Sequence, residues 1–152
     1  MKIKEPAMAY QITNPLTKMS RAKVIPLYKW DAYDKIKAIR GGVSKEELEN
    51  FKNSAELDYD TLAQVLNVAK ATLHNKKGKA TFDQYVSERL FLMAELYSFG
   101  YEVFGDRAKF NGWMKRENRS LGFITPISLL DTSYGFDEVR NLVGRIAWGI
   151  IS

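Results

Sequence analysis

The chain has 152 residues, of which 45% are hydrophobic and 27% charged, enough for one compact domain with a real core or two very small ones sharing an interface. It has no cysteine, which excludes a disulfide framework and a thiolate metal site. Its longest apolar run, around Leu90–Leu92, is far too short to span a bilayer. No charged-then-apolar signal peptide opens the chain, so a cytoplasmic protein is expected. The net charge of +5 is unevenly spread. Lys18, Arg21, Lys23, Lys29, Lys35, Lys37, Arg40 and Lys45 are followed by an acidic patch over 46–60, then by a second basic cluster at Lys70, Lys76, Lys77 and Lys79. Such clusters draw polyanions by Coulomb attraction and counterion release, or are a solvated lysine-rich surface.

Residues 1–29 hold Pro6, Pro15 and Pro26 and no sustained apolar period, and read as an extended or partly disordered basic arm. From Trp30 onward the pattern is helical. A first helix over 30–40 stops at Gly41-Gly42, where glycine tolerates the left-handed cap. Ser44 with Glu47 three residues on forms a capping box for a second helix. Asp58 is the N-cap of a third, carrying Leu62, Val65 and Leu66 on one side. Residues 67–69 make a tight connection to a short helix over 70–77, closed by Gly78. Thr81 with Gln84 reads as another capping box, opening the longest helix over 82–104, with Val86, Leu90, Met93, Leu96 and Tyr97 on its apolar face. Asp106 caps a helix ending near Lys115. Thr125-Pro126 starts another, because proline at the first helical position loses no hydrogen bond. Gly135 leads into the last helix, striped by Val139, Leu142, Val143, Ile146 and Ile150. With no β-alternation and no internal repeat, the fold expected is all-α.

Two short helices joined by about three residues, the second rich in lysine, form the pattern of a helix-turn-helix near 59–77. Ala63 is the small residue that lets the helices cross closely, and Leu62, Leu66, Val68 and Leu73 are its apolar anchors. Lys70, Lys76, Lys77 and Lys79 suit phosphate contacts, which give affinity without reading sequence. Asn75 suits a bidentate contact to an adenine edge, and Thr72 or His74 a contact to bases in the major groove. Ala69 stands where a serine or threonine N-cap is expected, a loss of about 1 kcal/mol. The competing reading is a helix pair with a solvated lysine face. His74 is the only histidine, and no residue pattern offers it partners for metal binding or acid–base work. There is also no Ser/His/Asp order, zinc motif or glycine-rich phosphate loop. No cofactor and no catalysis are expected.

The C-terminal part reads Phe104-Gly105-Asp106, Trp113-Met114, Asn118-Arg119-Ser120-Leu121-Gly122, Thr125-Pro126-Ile127-Ser128-Leu129-Leu130, Gly135, Val139, then Leu142-Val143-Gly144-Arg145-Ile146 and Gly149. Most of these are structural: a helix stop, a cap, a tight bend at Gly122, a core tryptophan. The chain's end is different. Gly144 in mid-helix suggests close approach of another backbone. Arg145 has the fork geometry for a carboxylate or phosphate. Ile150 and Ile151 either fold back on the core or enter a partner's cleft, since burying each is worth about 1.5–3 kcal/mol.

This ordered set of motifs resembles the toxin-binding domain of the Xre/MbcA/ParS type of antitoxin, whose partner is a RES-domain toxin, and the helix-turn-helix lies just before it as in that family. The resemblance covers roughly 44–152 and implies an all-α, typically dimeric protein that binds its own operator. It also implies a C-terminal domain over 105–152 that covers the active site of an NAD-using, ADP-ribosyltransferase-like toxin, behind a helical DNA-binding domain over 30–104. Toxin contact is then expected at Arg145, Trp148, Gly149, Ile150, Ile151 and Ser152. Here the chain departs from the family, which usually places a polar residue after the Arg-Ile pair and an aromatic next to last. This chain has Ala147-Trp148 and Ile151. A free-standing transcriptional regulator without a toxin is the alternative reading.

Overall fold

The computed structural model describes residues 26–149. Seven α-helices follow in chain order among them: α1 (Ala32–Gly41), α2 (Lys45–Ala55), α3 (Tyr59–Leu66), α4 (Lys70–Asn75), α5 (Gln84–Phe104), α6 (Arg107–Met114) and α7 (Ser133–Ala147). Three 3₁₀ turns, Leu27–Lys29, Arg119–Leu121 and Pro126–Asp131, complete the set. No strand occurs among the described residues, only two isolated bridges, Ser44 with Thr81 and Asn118 with Ile124.

The helix starts follow local chemistry. Ser44 and Glu47 make the reciprocal capping box at α2. The carboxylates of Asp58 and Asp106 each accept an amide three residues on, opening α3 and α6. Three expectations are corrected. The first helix begins after Asp31, whose side chain accepts from the Asp34 amide, so Trp30 lies before it and packs against Phe91. The long helix is capped by Asp83, not Thr81. Phe82 is drawn into the core with its amide on the Val43 carbonyl at 2.8 Å, and the Asp83 carboxylate takes the Val86 amide at 2.9 Å. Gly135 sits inside the first turn of α7 and Thr132 is the cap. A Cβ at Gly135 would lie 1.7 Å from the Leu129 carbonyl oxygen, so only glycine lets the turn over 126–131 fold back onto α7.

α5 is the axis of the molecule. It carries a buried stripe at Val86, Leu90, Met93, Ala94 and Tyr97 and a second buried side at Ser87, Phe91 and Ser98, as a helix enclosed by neighbours must. It packs against the turn Leu27–Lys29, α1, α2, α3, α6 and α7. The apolar side chains from Leu27 to Val143 join one core cluster, across the division expected between 104 and 105. α6 approaches closely because position 100 is glycine: a Cβ there would meet the Phe110 ring at 2.2 Å. The end of the segment expected to be an extended arm instead docks into this core. Leu27 is 1% exposed, the Tyr28 amide donates to the Ser98 hydroxyl, and its ring lies 5.1 Å from that of Phe99. Residues 1–25 of that arm lie outside the described residues.

Candidate functional site

α3 and α4 form a helix pair with a three-residue connection, made possible by Asn67 in the left-handed conformation (φ 58°). Leu62, Leu66 and Leu73 are fully buried, Ala63 nearly so, and Val68 only partly. With Leu73 turned inward, α4 presents Lys70, Thr72, His74 and Asn75 to solvent. The helix is shorter than expected and ends at Asn75. Lys76 and Lys77 therefore stand in the following loop, with Lys79 beyond Gly78. Lys76 is half-buried, its ammonium 5.5 Å from the centre of the Phe82 ring, while Lys77 and Lys79 are exposed.

A six-residue helix is marginal alone, and α4 has no side-chain N-cap at Ala69. Its other end is clamped by a residue the sequence reading did not single out. Lys45 Nζ donates to the carbonyls of Leu73 (2.8 Å) and His74 (2.9 Å), satisfying orphan acceptors at the negative end of the helix. Tyr59 was missed too. Its ring lies edge-on to His74 at 5.3 Å, with the ammonium groups of Lys45 and Lys52 over it at 5.0 and 5.2 Å. No local periodicity marks these residues, because they are joined only by the tertiary fold. The loop after α4 is held as well: Thr81 bridges Ser44, and the Lys45 amide donates to the Ala80 carbonyl. Lys70 pairs with Asp60 at 3.0 Å, but both are exposed, so the pair is weak and readily exchanged for a phosphate.

The second candidate region is the end of α7. Phe136, Val139, Leu142 and Val143 face the core, while Ile146 is half-buried. Arg145 is exposed and Trp148 is 83% exposed. The chain turns at Gly149 with φ 71°. Together with Phe99, Arg140, Asn141 and Gly144, Arg145 and Trp148 line an open groove of about 520 Å³. Gly144 was expected to mark a close backbone approach. Among the described residues nothing lies within 4 Å of where its Cβ would be, so the missing side chain instead leaves room in the groove. The groove adjoins a smaller one lined by Tyr28, Glu95, Leu96, Phe99 and Arg140. Here Glu95 receives both Lys35 from α1 and Arg140 from α7. Arg145 makes no ion pair among the described residues, and Ile150, Ile151 and Ser152 lie outside them.

Arg89 ties the end of α3 to the turn over 126–131. One guanidinium nitrogen donates to the Val65 carbonyl at the end of α3 (3.1 Å) and to the Leu130 carbonyl (2.6 Å). The guanidinium carbon lies 5.9 Å from the centre of the Tyr85 ring and 6.0 Å from that of Phe136. A further buried network ties α6 to the turn after α2. The Asn111 amide donates to the Ser54 carbonyl and to Glu56, and its oxygen accepts from the Tyr101 hydroxyl. Burial holds that hydroxyl above the ordinary phenol range, so it remains a donor. No group of three metal-ligating side chains and no helix long and apolar enough to cross a membrane occurs among the described residues.

Two family models match consecutive stretches of the chain along these same regions. The Antitoxin Xre-like helix-turn-helix domain matches residues 34–95, and the Antitoxin Xre/MbcA/ParS C-terminal toxin-binding domain matches 99–149. An Antitoxin Xre of Photorhabdus laumondii is 34% identical over 70% of this chain and 72% of its own. An Antitoxin Xre of Yersinia enterocolitica is 26% identical over 77% and 80%, and a Prs ADP-ribosylating antitoxin of a Sphingobium species 26% over 81% and 84%. With both family domains in order on one helical core, the chain belongs to the Xre-type antitoxins.

Proposed function

We propose that this antitoxin neutralises a RES-domain toxin by direct binding, and represses its own operon by binding operator DNA. The observation that carries the toxin half is the end of α7, where a large aromatic and an arginine stand in solvent beside a groove at the point the chain reaches its last residues. Arg145 offers a two-pronged donor to a carboxylate or phosphate in the toxin's cleft. Trp148, Gly149, Ile150, Ile151 and Ser152 form the segment that enters it. A toxin that acts on NAD presents an anion-binding cleft, which suits an arginine. That chemistry belongs to the toxin, and this chain binds without catalysing. A Prs ADP-ribosylating antitoxin among its relatives supports a partner of this kind.

The DNA half rests on α4, which turns only polar side chains and Ala71 outward while Leu73 anchors it. Lys70, Lys77 and Lys79 hold phosphates, with Lys76 as a nearer-core contributor. Thr72, His74 and Asn75 face base edges. A homodimer places two such helices on half-sites about one helical turn apart. Residues 30–104 serve DNA and 105–152 serve the toxin, on a shared core.

Co-expression with the adjacent gene's product tests both halves. The expected result is co-purification of a stable complex and rescue of growth. Binding to the native promoter is expected to weaken steeply with salt, with a log–log slope of several units. A promoter fragment bound no better than random DNA would remove the repressor role, and failure to rescue growth would remove the toxin.

A further inference from the structure

The stretch matched by the toxin-binding domain exposes four large apolar side chains among the described residues: Phe123 (64%), Ile124 (45%), Tyr134 (86%) and Trp148 (83%). Phe123 differs from the others in its backbone. Its φ is +65°, in the left-handed region that a bulky residue with a Cβ occupies only under strain. Glu56 and Asn67 are also left-handed, but each closes a helix, whereas Phe123 directly follows Gly122, which already has φ 73° and caps the turn over 119–121. The Phe123 amide closes the turn on the Asn118 carbonyl, so the angle belongs to a hydrogen-bonded loop over 118–124.

Hydrogen bonds tie the loop around it together. The Asn118 carbonyl accepts the amides of Leu121 (3.0 Å) and Phe123 (2.8 Å), its own amide donates to the Ile124 carbonyl (3.1 Å), and its side chain takes the Ser120 amide (2.9 Å). Leu121 packs on the core, and Pro126 and Ile127 are buried just beyond. An aromatic ring is thus held in water by a hydrogen-bonded loop. An exposed aromatic on a loop whose backbone is already ordered binds with little further loss of entropy.

We propose that Phe123, with Ile124 beside it, is a second docking point for the toxin, apart from the C-terminal end, and fits an apolar pocket on the toxin's surface. This rests on the toxin-binding reading above. The occupant follows from continuity: the loop lies in the middle of the segment matched as toxin-binding. It also follows from size, since a stable interface buries about 800 Å² on each partner and one aromatic supplies only about 150–250 Å². Trp148 alone falls short of that area, which leaves room for a second patch.

The test is the affinity of the full-length antitoxin for the adjacent gene's product, carried as a catalytically inactive variant. Phe123→Ala and Phe123→Gly are both expected to raise Kd at least tenfold. Phe123→Gly is expected to melt at or above the wild-type temperature, because glycine accepts the left-handed backbone. Tyr85→Ala, an exposed aromatic outside the matched segment, is expected to change Kd less than twofold. Wild-type Kd in both Phe123 variants overturns the docking point while leaving the antitoxin reading intact. Conversion of a wild-type dimer to a monomer by Phe123→Gly, with toxin affinity kept, overturns it in favour of self-association. No binding by the wild type overturns both readings together.

Discussion

The short helix α4 and the end of α7 are both short of intrinsic support, yet the protein treats them in opposite ways. α4 lacks an N-cap, but its buried Leu73, the Lys45 clamp on its last carbonyls and the Tyr59 ring against His74 hold it from three directions. The end of α7 leaves Arg145 and Trp148 in solvent beside a groove that nothing described fills. One surface is held in shape by the fold itself, and the other is left open by it. The difference fits the targets proposed for them. A DNA duplex has a regular shape that rewards a pre-set reader, whereas an enzyme cleft is a cavity that must be filled.

That contrast can be broken from either side. Leu73→Ala removes a fully buried anchor and is expected to cost about 2–5 kcal/mol, seen in thermal or urea unfolding. At a temperature where the chain stays folded, it should lower DNA affinity more than toxin affinity. Arg89→Met keeps the apolar stem but leaves the Val65 and Leu130 carbonyls without their shared donor, a loss of about 2 kcal/mol in chemical denaturation. Because Arg89 ties α3 to the turn that packs on α7, it should weaken DNA and toxin binding together. Ala69→Ser supplies the missing cap and should raise stability by about 0.5–2 kcal/mol, with DNA affinity equal or higher and toxin affinity unchanged.

The smallest effect is one of pH. Glu47 is buried with one carboxylate oxygen unpartnered among the described residues, and burial raises its pKa despite the capping hydrogen bonds from Ser44. A raised folded pKa means the charged form opposes folding. Its contribution is fully favourable below about pH 4.3, the unfolded value, and is lost as pH rises through the raised folded value. Glu47→Gln keeps an acceptor for the Ser44 amide, so it should be slightly more stable than wild type at pH 7 and level with it near pH 4 in parallel melts.

What the sequence made legible was local. The caps at Ser44, Asp58 and Asp106, the anchors Leu62, Leu66 and Leu73, and the missing cap at Ala69 each depend on residues within four positions, and all stand in the structure. The cap at Thr81 misled because the spacing to Gln84 is right, while the deciding bond, the Phe82 amide to Val43, spans the chain. Arg89 escaped for the same reason: its acceptors are backbone carbonyls 24 and 41 residues away, which carry no side-chain signature. Phe123 escaped because its strain is a backbone angle, and Gly122 beside it already explains a bend.

The central proposal is that Arg145 and the residues after Gly149 act on the toxin. The direct measurement is toxin neutralisation by a chain lacking Ile150–Ser152 and carrying Arg145→Ala, followed as growth rescue beside the intact protein. The account predicts lost rescue, with the melting temperature and promoter affinity held at wild-type values. Full rescue by the shortened, substituted chain would contradict it.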